Sequence, residues 1–328
     1  MSPKKGELLV AELRKGSEKG LALAKQILLA EKMEPPKLYS ACEYYVEHWN
    51  DFTHAGLFSM ACEAVGGNPE ESVLVQAAIA IMAASFDLHD DILDKDKTKN
   101  NIPTVYGEFG LEITLLLGDA FLIEGFKTLM DSIIEFPRQK VKNILEKTRN
   151  LFFEVGNAHS LEVCLKKGKR MTLNDYLMIT ERKGASIEAD MMFGAFFGGG
   201  DEDEVANLAK LGRIIGILCI LRDDVVDVFD IEELRQRITV QDLPLPLHFA
   251  MQDDKINPRV NTLLSRPKIT RRAVAELVDL TLQSEPVEKL KKKMRLLIEE
   301  GLTLLKDLKK RKLARNLQAV LTFMLEDL

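Results

Sequence analysis

The stretch Ser72–Asp94, SVLVQAAIAIMAASFDLHDDILD, decides the fold of this chain. Its apolar residues follow helical spacing without a glycine or a proline, so it predicts a long helix that is largely buried. The residues just before it, Gly66-Gly67-Asn68-Pro69, are typical of the end of one helix and the start of the next. The polar, lysine-rich stretch Lys95–Asn101 follows it and ends the helix.

The rest of the chain repeats this helical pattern. Further helices are predicted over residues 6–32, from Pro36 to about 49, and over about 52–65, 109–133, 137–166, 172–197, 203–230, 269–283 and 287–325. Period-two alternation is nearly absent, so no sheet is predicted. With 328 residues, 46% of them hydrophobic, the sequence predicts a single all-α domain over residues 1–328, a bundle of long helices around a common core.

Composition excludes several classes of function. Lys and Arg total 45 against 51 Asp and Glu, a net charge of −6, which opposes broad binding to nucleic acid. The four cysteines are far apart and form no CxxC pair, so we expect neither a disulfide framework nor a zinc site. We expect a cytoplasmic protein with no membrane span, because the apolar run Leu211–Leu221 is short and contains Arg213.

Two acidic clusters carry the chemistry, and each reads D-D-x-x-D. They comprise Asp90, Asp91 and Asp94 in the first motif and Asp223, Asp224 and Asp227 in the second. On a helix, residues i and i+4 share one face, so Asp90 projects with Asp94, and like charges at that spacing repel.

A hard divalent cation with oxygen ligands would remove this conflict. Mg²⁺ is typically held by one or two carboxylates together with substrate phosphates, so the two motifs predict a magnesium site. A solvated acidic face is the alternative. Asp87, three residues before Asp90, either joins the first motif or is a solvated acid of the helix surface.

These motifs and three further elements resemble the trans-type isoprenyl diphosphate synthases, the polyprenyl synthetase family. The stretch Ala61–Gly67 is similar to the family's turn before the helix of the first motif. Leu117-Gly118-Asp119-Ala120-Phe121-Leu122 is similar to its G-D-x-L element. Arg182-Lys183-Gly184-Ala185 is similar to its K-T-A element, with Gly184 in place of Thr. The resemblance covers about residues 36–247.

The resemblance implies an all-α bundle with a deep central cavity, normally a homodimer, in which both aspartate motifs face each other and bind Mg²⁺. That metal would hold the diphosphate of an allylic prenyl diphosphate and help it to leave, after which isopentenyl diphosphate attacks the allylic cation. Lys183 matches the lysine that contacts the leaving diphosphate, and Lys99 stands where the first of two arginines would be. Arg222 is predicted to pair with Asp223 or with a diphosphate oxygen.

Phe86 lies one helical turn before Asp90 and on the same side of the helix. In the family, a bulky residue near this position forms the floor of the tail pocket and limits product length. Phe86 is therefore a candidate for substrate binding. An ordinary core phenylalanine is the alternative.

Most departures from the family pattern affect one predicted function, the binding of isopentenyl diphosphate. The positions expected to hold the diphosphate of isopentenyl diphosphate carry Asp51, His54, Ala83 and Asn100, so most of their positive charge is gone. His54, in place of an arginine, is the remaining candidate for that contact. An aspartate against a diphosphate sets like charge against like charge and disfavours binding by a few kcal/mol, on the order expected for a desolvated site. Near the second motif, Cys219-Ile220 replaces the family's F-Q pair, and Asp242 stands where a lysine is expected.

Three hypotheses follow. The first is a prenyltransferase that condenses an allylic diphosphate with isopentenyl diphosphate, using substitute cations from Lys95, Lys97 and Lys99 or from a partner chain. The second is a terpene-synthase-like enzyme that ionises a prenyl diphosphate without isopentenyl diphosphate. The third is a regulatory subunit of a heterodimer with a competent synthase, and the intact aspartates count against it.

Overall fold

The computed structural model describes the chain except at residues 1–2, 100, 169–170, 227, 229–230, 240–242, 267–268, 307, 309–313 and 325–328. Its helices in the first half are α1 (Pro3–Ala30), α2 (Pro36–His48), α3 (Thr53–Ala64), α4 (Val73–Asp94), α5 (Val105–Phe109), α6 (Leu111–Ile133) and α7 (Arg138–Gly168). Those in the second half are α8 (Leu173–Lys183), α9 (Ala185–Phe197), α10 (Glu202–Val226), α11 (Ile231–Thr239), α12 (Leu245–Ala250), α13 (Asn257–Leu264), α14 (Arg271–Gln283), α15 (Glu285–Lys306) and α16 (Arg315–Phe323). A short 3₁₀ turn, Pro69–Ser72, precedes α4. The all-α prediction is confirmed.

One short strand pair corrects the prediction of no sheet. Strands β1 (Thr98–Lys99) and β2 (Ile102–Pro103) pair antiparallel within the lysine-rich stretch, with Lys99 opposite Ile102. Asn101 adopts a left-handed φ of 62°, which asparagine tolerates better than most residues. Strands of two residues leave no alternation for a sequence pattern to reveal.

Two predicted helices are divided in the structure. The segment 172–197 breaks at Gly184 because the backbone of α10 comes very close there: a Cβ on Gly216 would lie only 2.8 Å from the Cα of Gly184. The segment 287–325 ends its first helix at Lys306 and begins a second at Arg315. Helices α11–α13 were not predicted, since each has only six to nine residues and α12 and α13 also contain a proline.

The chain divides into two compact units. The first comprises Met1–Phe153, Ser186–Gly212 and Asp307–Leu317. In it α4 packs along α6 and α1, and α1 also packs against α3. Fully buried side chains such as Leu28, Ile81, Leu117 and Phe121 fill the space between these helices, which fixes α4 and the acidic residues at its end.

The second unit comprises Glu154–Ala185, Arg213–Lys306 and Gln318–Leu328. Helix α14 packs against α11, α12, α13 and α15. Its core includes Leu234, Leu247, Leu263 and Leu277, all fully buried. Val228, which follows α10, also belongs to this core.

One stretch, Pro69–Asp94, is long and apolar enough to cross a membrane by length and composition. The sequence analysis considered Leu211–Leu221 as the segment that comes closest to a membrane span. By length and composition, Pro69–Asp94 comes closer. In the fold, 67% of the apolar window of Pro69–Asp94 is buried among other helices. The same length and composition occur in core helices of globular proteins, so this finding is weak evidence for a span.

Candidate active site

The first aspartate motif occupies the last turn of α4. Asp90 is half-buried, Asp91 is buried and Asp94 is exposed. Lys95 ends the helix in the left-handed conformation, and the capping N–H donates to the carbonyl of Asp91. Asp90 and Asp94 therefore share a helix face at its end, as predicted.

Lys99 lies against this motif from strand β1. Its Nζ is 2.6 Å from Oδ1 of Asp87 and 2.7 Å from Oδ1 of Asp91. Burial raises the pKa of Asp91 to about 6, although the neighbouring ammonium opposes the shift. Burial lowers the pKa of Lys99, but the two carboxylates outweigh it and raise the pKa well above its ordinary value. The lysine predicted to contact a diphosphate is thus paired with two aspartates, and Asp87 belongs to this cluster.

The G-D element of α6 packs beside the same helix end. Nε2 of His89 is 3.3 Å from Oδ1 of Asp119. A Cβ on Gly118 would lie 2.7 Å from that imidazole nitrogen, so only glycine leaves room for the ring. The glycine of this element therefore positions His89, which precedes Asp90.

The second motif lies at the end of α10. Asp223 is exposed and Asp224 is half-buried, while Asp227 lies outside the described residues. The hydroxyl of Tyr176, on α8, donates a hydrogen bond to Oδ2 of Asp224. Sequence analysis did not single out Tyr176, because a tyrosine in the apolar pattern of a helix carries no signal of this contact.

Arg222 has an aromatic neighbour that the sequence did not predict. Its guanidinium lies 4.7 Å from the ring centroid of Phe323, on α16. A guanidinium over an aromatic face is a favourable cation–π arrangement. The C-terminal helix therefore contacts the residue next to Asp223.

Lys183 ends α8 and is paired with an acid. Its Nζ is 2.5 Å from Oε2 of Glu162 on α7, and both side chains are mostly buried. About two helical turns earlier on α7, Glu154 accepts two hydrogen bonds from the guanidinium of Arg213, at 2.8 and 3.0 Å. Glu162 was missed by the sequence analysis, since an isolated acid in a long charged helix is ordinary.

These acidic residues have the oxygen chemistry that Mg²⁺ prefers. Within the described part of the chain, no three Asp, Glu, His or Cys side chains converge into a ready-made cage. The donor set fits a cation held by one or two carboxylates plus phosphate oxygens of a substrate, the usual manner for magnesium. In the first unit Asp90 and Asp94 at the end of α4 offer such carboxylates, and in the second unit Asp223 at the end of α10 offers another.

The region around His54 has a different character. Nδ1 of His54 is 2.7 Å from Oδ2 of Asp190, a residue of α9 that is only 3% exposed, and Nε2 is 4.0 Å from Asp51. Burial lowers the pKa of His54, but Asp190 and Asp51 outweigh it and raise the pKa to about 9. The imidazolium is thus balanced by two carboxylates of the chain. Asp190 was not predicted, although a lone aspartate in the apolar segment ADMMFGAFF was a visible signal.

Phe86 stacks in an aromatic cluster. Its ring centroid is 4.3 Å from that of Phe152, which also contacts Phe126 at 5.3 Å. The Phe86 side chain is half-buried. Both a pocket floor and an ordinary packing role are compatible with this environment, so its role in substrate binding stays a prediction.

Comparison with known proteins identifies the class. A model of the polyprenyl synthetase family matches residues 35–280, and the chain belongs to that family. The resemblance read from the motifs is therefore confirmed.

Two curated relatives illustrate the likeness. The geranylgeranyl diphosphate synthase of Methanosarcina mazei is 29% identical over 64% of this chain and 64% of its own length. The short chain isoprenyl diphosphate synthase of Methanothermobacter thermautotrophicus is 29% identical over 61% of each chain. The matched segments thus span less than two-thirds of these relatives.

Solved structures agree on the fold. The geranylgeranyl pyrophosphate synthetase from Pyrococcus horikoshii superposes with a TM-score of 0.83 at 24% identity, covering 98% of this chain and 99% of that one. The geranylgeranyl pyrophosphate synthetase from Geoglobus acetivorans gives 0.79 at 19% identity, over 96% and 99%. At these identities the structures establish the all-α fold alone.

Proposed function

We propose that this chain is a magnesium-dependent prenyltransferase. It ionises an allylic prenyl diphosphate and condenses the prenyl group with isopentenyl diphosphate to a short-chain product. One observation supports it most: α4 ends in the first D-D-x-x-D sequence and the second begins in the last turn of α10, and in each the middle aspartate, Asp91 or Asp224, is bonded to a residue of the chain. The names of the Methanosarcina and Methanothermobacter relatives support the reaction class.

The motif aspartates, Lys183 and the apolar residues of α4 have different proposed roles in this reaction. Asp90 and Asp94 of the first motif and Asp223 of the second would hold the metal. Mg²⁺ would supply positive charge to the departing diphosphate when bound. Lys183 adds a point charge on the leaving group once it exchanges Glu162 for a phosphate oxygen. The allylic carbon–oxygen bond breaks with its electron pair passing to pyrophosphate, the alkene of the acceptor attacks, and a proton is lost. Apolar residues of α4 exclude water that would capture the cation.

A second candidate is ionisation without isopentenyl diphosphate, and one observation favours it. The imidazolium of His54, the cation left at the position of a lost arginine, is already bonded to Asp190 and faces Asp51. A trianionic diphosphate there meets carboxylates whose charge opposes it. Cyclisation, proton loss or water would then quench the allylic cation.

We also propose a homodimer in the cytoplasm. Helix α6 exposes several large apolar side chains, Leu111, Leu115, Leu116 and Ile123. A second copy of the chain would cover them, in line with the family resemblance. A heterodimer is the alternative, and one curated relative, from Arabidopsis thaliana, is named as the large subunit of a heterodimeric synthase. Light scattering of the protein and of Ile123→Glu tests the interface, with a monomeric variant expected.

One experiment separates the functions. Purified protein is incubated with Mg²⁺ and allylic diphosphates of several lengths, with and without isopentenyl diphosphate, and released pyrophosphate and organic products are measured. Longer prenyl diphosphates formed only with isopentenyl diphosphate support the first candidate. Hydrocarbons or alcohols formed without it support the second. If neither pyrophosphate nor an organic product forms under either condition, both candidate functions are contradicted and a regulatory subunit is favoured.

A further inference from the structure

A buried tyrosine is bonded to the second aspartate motif. Tyr176 lies in the first turn of α8, which begins with a capping box between Thr172 and Asp175. Its side chain is 4% exposed, and its ring packs 5.4 Å from that of Phe249 on α12. The phenolic hydroxyl donates to Oδ2 of Asp224. Because the side chain is almost fully buried, the ring has little rotamer freedom and the hydroxyl is a fixed donor.

The same helix face carries Lys183. Seven residues separate Tyr176 from Lys183, close to two full helical turns, so both project from one side of α8. Lys183 contacts Glu162 on this side. Helix α8 therefore contacts the second aspartate motif through Tyr176. Through Lys183 it also carries the cation that we expect at the leaving diphosphate.

The hydroxyl differs from a cationic partner in its effect on charge. A phenol at neutral pH is an uncharged donor, so this bond fixes the orientation of Asp224 without adding a positive charge beside it. Asp223, one residue earlier, projects about 100° away around the helix. The bond to Tyr176 thus constrains the end of α10 through a different carboxylate from that of Asp223.

We propose that Tyr176 is a positioning residue for metal binding by the second motif. By orienting Asp224 it holds the end of α10 in the arrangement in which Asp223 binds Mg²⁺, and as a neutral donor it adds no positive charge that would repel the cation. This inference rests on the proposed function, because it assigns the metal of that reaction to this motif.

The test is Tyr176→Phe, which removes only the hydroxyl. Loss of a residue that orients a metal ligand typically weakens metal affinity by about 10–100-fold. We therefore expect at least a ~10-fold rise in the Mg²⁺ concentration for half-maximal pyrophosphate release, with kcat at saturating Mg²⁺ changed far less. Binding of Mn²⁺ to the metal-free protein with pyrophosphate, followed by electron paramagnetic resonance, should weaken by a similar factor.

A matched control is Thr281→Val. It also removes a fully buried hydroxyl, one that donates to the carbonyl of Leu277 in α14, a helix that carries no motif residue. A loss of stability alone would be shared by both variants, whereas a weaker affinity for Mn²⁺ should belong to Tyr176→Phe.

A double-variant cycle tests the route through Asp224. In an Asp224→Asn background, Tyr176→Phe should cause little further loss of Mn²⁺ affinity, because the two residues act as one unit. Unchanged Mn²⁺ affinity in Tyr176→Phe, additive effects of the two changes, or no Mn²⁺ binding by the wild type overturns the inference. If Tyr176→Phe does not fold, Asp224→Asn alone should show the weaker affinity. Failure of every allylic diphosphate to react would refute the proposed function while the Mn²⁺ comparison still stands.

Discussion

The ends of α4 and α10 carry the same motif in different electrostatic surroundings. At α4 the middle aspartate, Asp91, meets the ammonium of Lys99 at 2.7 Å. At α10 the middle aspartate, Asp224, accepts from the neutral hydroxyl of Tyr176. The first motif therefore has a carboxylate paired with a cation, whereas the hydroxyl at Asp224 adds no positive charge to the second. The same motif therefore does not specify the electrostatics of its site, since the residue that pairs with its middle aspartate comes from another part of the chain.

The largest effect should come from removing the proposed metal ligands at both helix ends. We expect Asp90→Ala and Asp223→Ala each to lower the rate of pyrophosphate release by about 10³-fold or more, because charge on the leaving group loses its counterion. The exposed Asp131 on α6 provides the control, and Asp131→Ala should retain the wild-type rate. Activity in either motif variant close to that of the control would sink the metal-ionisation hypothesis.

The His54–Asp190 pair extends the comparison to a cation that titrates. The pKa of His54 is raised from 6.5 to about 9, so its stabilisation is fully present below pH 6.5 and is lost as pH rises through 9. This side chain is 23% exposed. We expect the free energy of unfolding to fall by at most ~3 kcal/mol across that window.

Urea unfolding between pH 6 and pH 10 measures this loss. The matched variant is Asp190→Asn, which removes the carboxylate that raises the pKa of His54. Its unfolding free energy should vary much less over the same window. Equal pH slopes in the two proteins would show that His54 is not held by Asp190.

The Lys99–Asp91 pair should give a smaller effect. Replacing Lys99 by Met leaves Asp91 buried without its ammonium, which disfavours the folded state. Breaking a buried ion pair typically costs about 3–5 kcal/mol, and the half-exposed position of Lys99 reduces this to about 1–2 kcal/mol.

The pH dependence of this variant carries a definite sign. The pKa of Asp91 is already raised from 3.8 to about 6, and loss of Lys99 raises it further. The unfolded chains release this proton near pH 4 in both proteins, but the folded variant keeps it to a higher pH than folded wild type. The stability of Lys99→Met relative to wild type should therefore fall as pH rises above about 6. The double variant with Asp91→Asn should recover most of the loss at pH 7. If it does not, the ion pair is not what stabilises this helix end.

These pairs show how far the sequence reaches. Helix α4 and both motifs were predictable because apolar periodicity and the i, i+4 spacing of acids are local properties. The partners are not local: 136 residues separate His54 from Asp190, and 48 separate Tyr176 from Asp224. A tyrosine or aspartate within an apolar helix looks the same whether or not it meets a distant charge.

The boundaries of the elements show the same limit. Gly184 was read as part of a continuous helix because its own surroundings are helical. The break arises from the close approach of Gly216 on another helix. Likewise, strands of two residues are too short to show period-two alternation in the sequence. Their hairpin nevertheless places Lys99 against Asp91.

The smallest effect on rate should come from Phe86, and its product pattern is the informative readout. If Phe86 closes the tail pocket, Phe86→Ala should shift the products or the accepted substrates toward longer chains while pyrophosphate release stays within about tenfold. The control is Phe153→Ala on α7, next to the ring partner Phe152 but 62% exposed. Chromatography of the dephosphorylated products compares the two variants with wild type. An unchanged distribution together with a lower melting temperature would assign Phe86 to packing against Phe152 alone, since loss of a buried ring destabilises without reshaping a pocket.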